Sequence, residues 1–200
     1  MSGSRASGRE IEIKLAVASP AEGRRLLRRA GLRVTGRRAF EVNLVFDTAR
    51  GTLRRARSLL RVRETGGRGL LTYKGPATAV RYKSREEIES ALDDPAAARL
   101  ILERLGYRAV FRYEKFRTEF GDGSGAAALD ETPIGCFLEL EGEPAWIDRR
   151  AAAMGFPPEA YITASYLRLY LEDCRRRRRA PGNMVFPGGG THYNGTGRRT

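Results

Sequence analysis

The feature that most constrains this chain is a two-residue alternation in which one face of a segment is apolar and the other carries full charges. In REIEIKLAV, Glu10, Glu12 and Lys14 share one face while Ile11, Ile13 and Leu15 share the other. A period of two belongs to a β-strand, whose successive side chains point to opposite sides. The alternation returns in LLRVRE (Arg61 and Arg63 opposite Leu60 and Val62) and in LLTYKG (Thr72 and Lys74 opposite Leu71 and Tyr73). It continues in RYKSREEIES, which aligns Arg81, Lys83, Arg85, Glu87 and Glu89, and in YEKFRTEF, which sets Lys115, Arg117 and Glu119 against Phe116 and Phe120. CFLELEG sets Glu139 and Glu141 against Leu138 and Leu140. With further strands over residues 38–47 and 126–130, about eight strands are expected.

Between the strands lie helix signals. Ser19 and Asp94 stand as N-caps before Pro20 and Pro95, and Gly31 and Gly106 stand as stops, which predicts helices over 20–30 and 95–105. A third is expected over 144–154, ended by Gly155, with a short helical segment after Pro157 and Pro158 and a further helix over 165–174. There is no internal repeat. The class is α+β.

An antiparallel sheet commonly packs its apolar face on the core and shows its charged face to water. Any one of these strands reads that way by itself. Together they read differently, because carboxylates recur two residues apart on three strands and cations recur at the same spacing on others. Adjacent like charges on one face repel. Such pairs are best accommodated facing one another across an enclosed space that holds metal ions and an anion, and about eight strands closed into a barrel leave an interior of ligand size. Mg²⁺ and Mn²⁺ take carboxylate oxygens, whereas Arg and Lys suit phosphate oxygens. The candidates are the acids Glu10, Glu12, Glu87, Glu89, Asp130, Glu139 and Glu141 and the bases Lys14, Arg61, Arg63, Lys74, Arg85, Lys115 and Arg117. This set is nearly neutral and would accept a polyphosphate together with its metals. A nucleic-acid groove has no use for seven buried acids.

The net charge of +13 agrees once it is located. Residues 175–200 carry seven arginines and no acid, leaving +6 on residues 1–174. The composition of 175–200 is that of a disordered tail, as is that of 1–8, with one domain over 9–174 between them. The block Arg175 to Arg179 is either a solvated tail or a site for RNA, acidic lipid or a partner protein; nucleic acid is not otherwise expected as a partner. No run of about 18 apolar residues is present and the N-terminus lacks an apolar signal region, so neither a membrane span nor export is expected and the default location is cytoplasmic. Cys136 and Cys174 lack metal-site spacing and read as free thiols. His192 stands alone in the tail. Tyr73, Tyr82, Phe116 and Phe120 read as packing residues, and Trp146 as the anchor of its helix. Monomer and homodimer both remain open.

The segment EIEIK (10–14) resembles the ExExK signature of the CYTH domain, the triphosphate tunnel metalloenzymes named after class IV adenylate cyclase and thiamine triphosphatase. VFDT (45–48), LLRVRE (59–64), TYKGP (72–76), SREEIE (84–89), EKFR (114–117), LDETPIG (129–135), FLELEG (137–142) and SYLRL (165–169) resemble further family segments in the expected order. Together they span roughly residues 9–172. The resemblance implies a closed eight-stranded antiparallel β-barrel, the triphosphate tunnel, with peripheral helices. It implies Mg²⁺ or Mn²⁺ as cofactor, with Glu87, Glu89, Asp130, Glu139 and Glu141 around a principal ion and Glu10 and Glu12 serving a second, catalytic one. Lys14, Arg61, Arg63, Lys74 and Arg117 would grip the phosphates. Lys115 and Arg85 would either join them or hold a neighbouring carboxylate in place. Where many relatives carry a lysine before the C-terminal SY, this chain has Ala164, and Arg168 stands one turn later either as a replacement or as a solvated helix residue.

The activity so implied is hydrolysis of a small triphosphate, whether inorganic triphosphate, thiamine triphosphate or a nucleoside triphosphate. Water would attack the terminal phosphorus in line, with Glu10, Glu12 and Lys14 at the reacting centre. No Ser/His or Cys/His nucleophile is needed or evident. A second reading is a class IV adenylate cyclase that converts ATP to cyclic AMP and pyrophosphate. A third is a polyanion-binding module without turnover, which would lose its affinity on removal of residues 175–200 whereas an enzyme would keep its activity.

Overall fold

The alternating segments form nine strands in a computed structural model that describes residues 8–79 and 81–188. They are β1 (Gly8–Val17), β2 (Arg33–Thr48), β3 (Leu59–Thr65), β4 (Arg68–Lys74), β5 (Thr78–Ala79), β6 (Lys83–Leu92), β7 (Tyr107–Gly121), β8 (Ala126–Thr132) and β9 (Gly135–Glu141). The spatial order β1-β9-β8-β7-β2-β3-β4-β6 returns on itself because β6 also pairs with β1, so these eight strands close into an antiparallel barrel. The two-residue β5 pairs only along β6. Tight turns make the short connections possible. Gly66 and Gly67, both with positive φ, join β3 to β4 in the two-residue hairpin that such backbone angles require.

Over most of the barrel the charged face of the strands turns inward and the apolar face outward. On β1, Ile13 and Leu15 are fully buried under helices that lie outside the barrel, while Glu10, Glu12 and Lys14 are buried inside it. The main hydrophobic core is therefore a layer around the barrel wall. It joins Leu129, Leu138 and Leu140 to Leu26 and Leu27 of α1 (Pro20–Arg29) and to Trp146 and Ile147 of α4 (Pro144–Ala153). Burying each of these side chains stabilises the fold by roughly 1.5–3 kcal/mol. At Gly23 a β-carbon would stand 2.7 Å from Leu129 Cδ1, so glycine is what lets α1 lie this close to the wall. The caps expected from sequence are in place. Ser19 Oγ accepts from Glu22 N at 3.2 Å, and Asp94 accepts from Ala97 N at 2.9 Å at the start of α3 (Pro95–Arg104).

A four-residue helix that the sequence did not announce, α2 (Thr52–Arg55), follows β2. The conspicuous Asp47 of the VFDT segment explains it, since its carboxylate accepts from the backbone N–H groups of Thr48, Leu53 and Arg54. Asp47 is thus a turn-building residue outside the charged interior. The short segment after Pro157 is a 3-10 turn, Pro158–Ala160, and α5 (Tyr166–Arg176) lies across one end of the barrel.

The described residues begin and end inside the two segments whose composition reads as tails. Gly8 already belongs to β1, and residues 1–7 lie outside the described residues. At the other end α5 runs into the arginine block, where Asp173 holds Arg176, Arg177 and Arg179, and the chain then turns back to β7, burying Met184. A compensating acid and an apolar anchor give 175–188 a definite place; residues 189–200, with His192, lie outside the described residues. Among the described residues no helix is long and apolar enough to cross a membrane.

One carboxylate ties the helical layer to the barrel. Asp122 accepts from Ser124 N (2.8 Å), Gly125 N (3.2 Å) and Trp146 Nε1 (2.8 Å), and also pairs with Arg150. These partners outweigh its burial and bring its pKa from 3.8 down to about 2. A depressed acid stabilises the fold fully above its unfolded pKa and loses that contribution as pH falls through the folded one. Asp122→Asn should therefore lower the unfolding free energy by about 1–3 kcal/mol at pH 7. In urea denaturation the gap between variant and wild type should narrow as pH falls from 4 towards about 2.

Candidate active site

Because the register is fixed, the even and odd alternations of six strands meet in one cavity of about 440 Å³. From one mouth near Arg9, Glu119 and Ala126 it extends to Val45, Leu59, Phe111 and Tyr166 at the α5 end. Of the fourteen sequence candidates, all but Asp130 line it: Glu10, Glu12 and Lys14 from β1, Arg61 and Arg63 from β3, Lys74 from β4, Arg85, Glu87 and Glu89 from β6, Lys115 and Arg117 from β7, and Glu139 and Glu141 from β9. Asp130, on β8, is fully buried behind the lining, where it receives Lys115 Nζ (2.8 Å), Arg117 Nε (2.7 Å) and the Tyr166 hydroxyl (2.7 Å).

The charges interlock as two groups joined at Glu12. In the first, Lys74 Nζ lies 2.6 Å from Glu10 and 2.8 Å from Glu87, Arg85 Nε is 2.9 Å from Glu10, and Lys83 bonds Glu12. In the second, Arg117 bridges Asp130 and Glu139, Lys14 Nζ is 3.3 Å from both Glu12 and Glu139, and Lys115 lies 3.5 Å from Glu41. Arg61 donates to Thr72 (3.1 Å) and to the Tyr113 hydroxyl (3.2 Å), and Arg63 donates to Asn43 (3.2 Å). Asp130 and Glu139 share Arg117, whereas Glu87 shares Lys74 with Glu10.

The sequence reading passed over several members. Lys83, Glu41 and Asn43 are buried in this network. Lys83 was visible in the alternation of RYKSREEIES, and Glu41 and Asn43 occupy the alternate positions of FEVNLVF, so the same two-residue rule would have found them. Tyr113 and Tyr166 carried no such signal, since a tyrosine on an alternating strand or a helix start reads as packing. Arg168 does not reach the cavity; its side chain is 75% exposed and pairs with Glu172 at 3.1 Å.

Electrostatics separate the acids. Burial raises the pKa of Glu12 and Glu139, but Lys14 and Lys83 around the first, and Arg117 and Lys14 around the second, overcome this and hold both well below the usual carboxylate range. Glu41, buried beside Lys115 and Arg63, falls to about 2. Glu141 moves the other way. Burial, with Glu10, Glu87 and Glu12 nearby, pushes it up to about 7. As the side chains stand, no three carboxylate, histidine or cysteine groups among the described residues converge on one metal position, since lysines and arginines hold the carboxylates. The donor chemistry nevertheless fits a hard divalent cation, because Glu10, Glu12 and Glu87 bring carboxylate oxygens close enough to Glu141 to raise its pKa.

Comparison with known proteins agrees with this architecture. The CYTH domain family model matches residues 8–149. A Methanocaldococcus jannaschii protein with a provisional adenylate cyclase name is 30% identical over 133 residues, covering 66% of this chain and 75% of that protein. Among solved structures, a Pyrococcus horikoshii protein is 25% identical with a TM-score of 0.67, covering 82% of this chain and 99% of that one. A Hippeastrum protein provisionally described as an adenylyl cyclase, with a dominant triphosphatase activity, has the same fold at 22% identity, a TM-score of 0.59, and coverage of 86% of this chain and 97% of that one.

A carboxyl whose folded pKa is raised costs stability as pH rises from its unfolded value, 4.5, through about 7. Glu141→Gln should therefore raise the melting temperature of the metal-free protein at pH 8.5, by up to about 3 kcal/mol in stability. It should leave the protein near wild type at pH 5. Equal melting curves at both pH values would show that Glu141 does not feel the neighbouring acids.

Proposed function

The chain belongs to the CYTH domain family, and from that premise we propose that it is a metal-dependent triphosphatase acting on a small triphosphate held inside the barrel. The observation that carries this reading is the enclosure of cations and carboxylates in similar number, with Glu10, Glu12 and Glu87 close enough to Glu141 to push its pKa up to about 7. Cations alone would suit any polyanion. Acids beside them suit a polyphosphate that arrives with Mg²⁺ or Mn²⁺.

Glu10, Glu12, Glu87 and Glu141 would hold the divalent cation, with Glu89 within reach from the same strand as Glu87, and Asp130 and Glu139 keeping the opposite wall in position. When bound, such an ion supplies charge neutralisation and lowers the pKa of coordinated water. Lys14, Arg61, Arg63, Lys74 and Arg117 would grip the phosphates, the arginines by paired N–H groups and the lysines as point charges. Lys115 and Arg85, each paired with a carboxylate, would orient Asp130 and Glu10. Lys14, Arg61 and Lys74 are buried and would act on the charge that develops on the transferring phosphoryl group after exchanging their present partners for phosphate oxygens. Lys14, between Glu12 and Glu139, would lie where that charge develops.

The name of the M. jannaschii relative favours a second reading, cyclisation of ATP, in which the barrel would also have to fix ribose and adenine. The Hippeastrum protein supports the first, as an example of this fold with triphosphatase activity. Incubation with Mg²⁺ or Mn²⁺ and inorganic triphosphate, thiamine triphosphate or ATP, with products identified, decides between them. Phosphate release is expected; cyclic AMP with pyrophosphate would establish the cyclase instead. Glu141→Gln should lower metal-dependent phosphate release by at least about a hundredfold while the protein stays folded. Retained activity would remove Glu141 from the metal site.

A further inference from the structure

The chain after α5 does something that neither the family match nor the charged interior calls for. The family model ends at residue 149, and the arginine block suggests a solvated tail. Instead, Met184 forms a parallel bridge with Tyr113 in the stretch of β7 that β8 leaves unpaired, since β8 meets β7 only between Phe116 and Gly121. Met184 N donates to Arg112 O (3.0 Å), Glu114 N donates to Met184 O (2.9 Å), and Arg112 N donates to Asn183 Oδ1 (2.9 Å). Phe186 N donates to the carboxylate of buried Glu114 (3.1 Å), and Gly182 N to the Tyr170 hydroxyl (3.1 Å). Bridged residues point to the same side of a sheet. The Met184 side chain, 1% exposed, accordingly lies in the aromatic cluster of Phe111, Tyr113, Tyr166 and Tyr170.

Tyr113 links this cluster to the cavity. Its hydroxyl accepts from Arg61 Nη1 at 3.2 Å, and Arg61 is one of the cations that the proposed function places on phosphate. Arg61 Nε has no hydrogen-bond partner although it is buried, so the direction of the guanidinium depends on its few fixed contacts. We propose that residues 182–186 are a positioning element of the tunnel, in which Met184 holds Tyr113 and Tyr113 aims Arg61 at the bound phosphates. This rests on the triphosphatase reading for its ligand. Cutting the chain before residue 182 would remove the segment that pairs with β7, so lost activity on truncation does not identify a polyanion-binding tail.

The test uses the full-length chain with inorganic triphosphate as the probe. Met184→Ala should weaken triphosphate binding about tenfold by calorimetry, Met184→Leu should restore it, and Tyr113→Phe should weaken it comparably. In the Tyr113→Phe background, Met184→Ala should add little, because the two substitutions break one chain of contacts. Should Met184→Ala fail to fold, the exposed Asn183→Ala gives the same comparison in smaller measure. Arg61 nearby holds the Tyr113 phenol below its ordinary pKa of 10, so ultraviolet titration, read against Tyr113→Phe, should show this phenol rising in the folded Met184 or Asn183 variant. Unchanged affinity in a folded variant, losses that add in full with Tyr113→Phe, or an unmoved phenol would each overturn the proposal. Wild type that fails to bind triphosphate would instead overturn the triphosphatase reading, and the phenol titration would still decide the role of Met184.

Discussion

Everything in this molecule depends on charges buried inside a closed sheet. Lys74 between Glu10 and Glu87, and Arg117 between Asp130 and Glu139, are ion pairs removed from water, and such pairs repay their desolvation only when geometry and further hydrogen bonds are good. Removing one partner from a buried pair costs about 3–5 kcal/mol because the other charge is left uncompensated. The barrel must therefore close in one register. The pairing of Glu12 with Lys83 on β6 and with Glu141 on β9 is what closes it.

Filling the interior with charge moves the hydrophobic core outward. A barrel with a charged interior has no apolar centre, so Ile13, Leu15, Leu138 and Leu140 are covered from outside by α1 and α4. Those helices are structural requirements of the site: by burying the outer faces they hold rigid the strands whose inner faces carry the charges. Asp122 joins the two layers through Trp146 and Arg150, and Gly23 sets their spacing. At the α5 end the arrangement inverts, and an aromatic cluster enters the barrel, with Tyr166 reaching Asp130 and Tyr113 reaching Arg61.

The strands and most of the charged lining were legible in the sequence because a two-residue period assigns every side chain to a face. The period could not say which face was enclosed, and for one strand it pointed as readily to water. Lys83 and Glu41 obey the same rule, Lys83 inside a run of charges on both faces and Glu41 as a single charge among apolar neighbours. Asp130 looked like its fellow acids, yet three donors hold it behind the cavity lining. The order in residues 175–188 was illegible for a different reason. A run of arginines beside glycine and proline has no period, and the contacts that place it, Asp173 with the arginines and Met184 with Tyr113, join residues that local pattern does not connect.

The sequence by itself determined the strands, their charged and apolar faces, and a near-balance of acids and bases suited to a metal-bound polyphosphate, since alternation and charge are local properties of the chain. Only the tertiary structure decided how those charges pair, that Glu141 is pushed up to about 7, and that a segment beyond the arginine block pairs with β7. Those outcomes depend on distances between strands far apart in sequence and on the loss of water between them. Closure of the barrel fixes both.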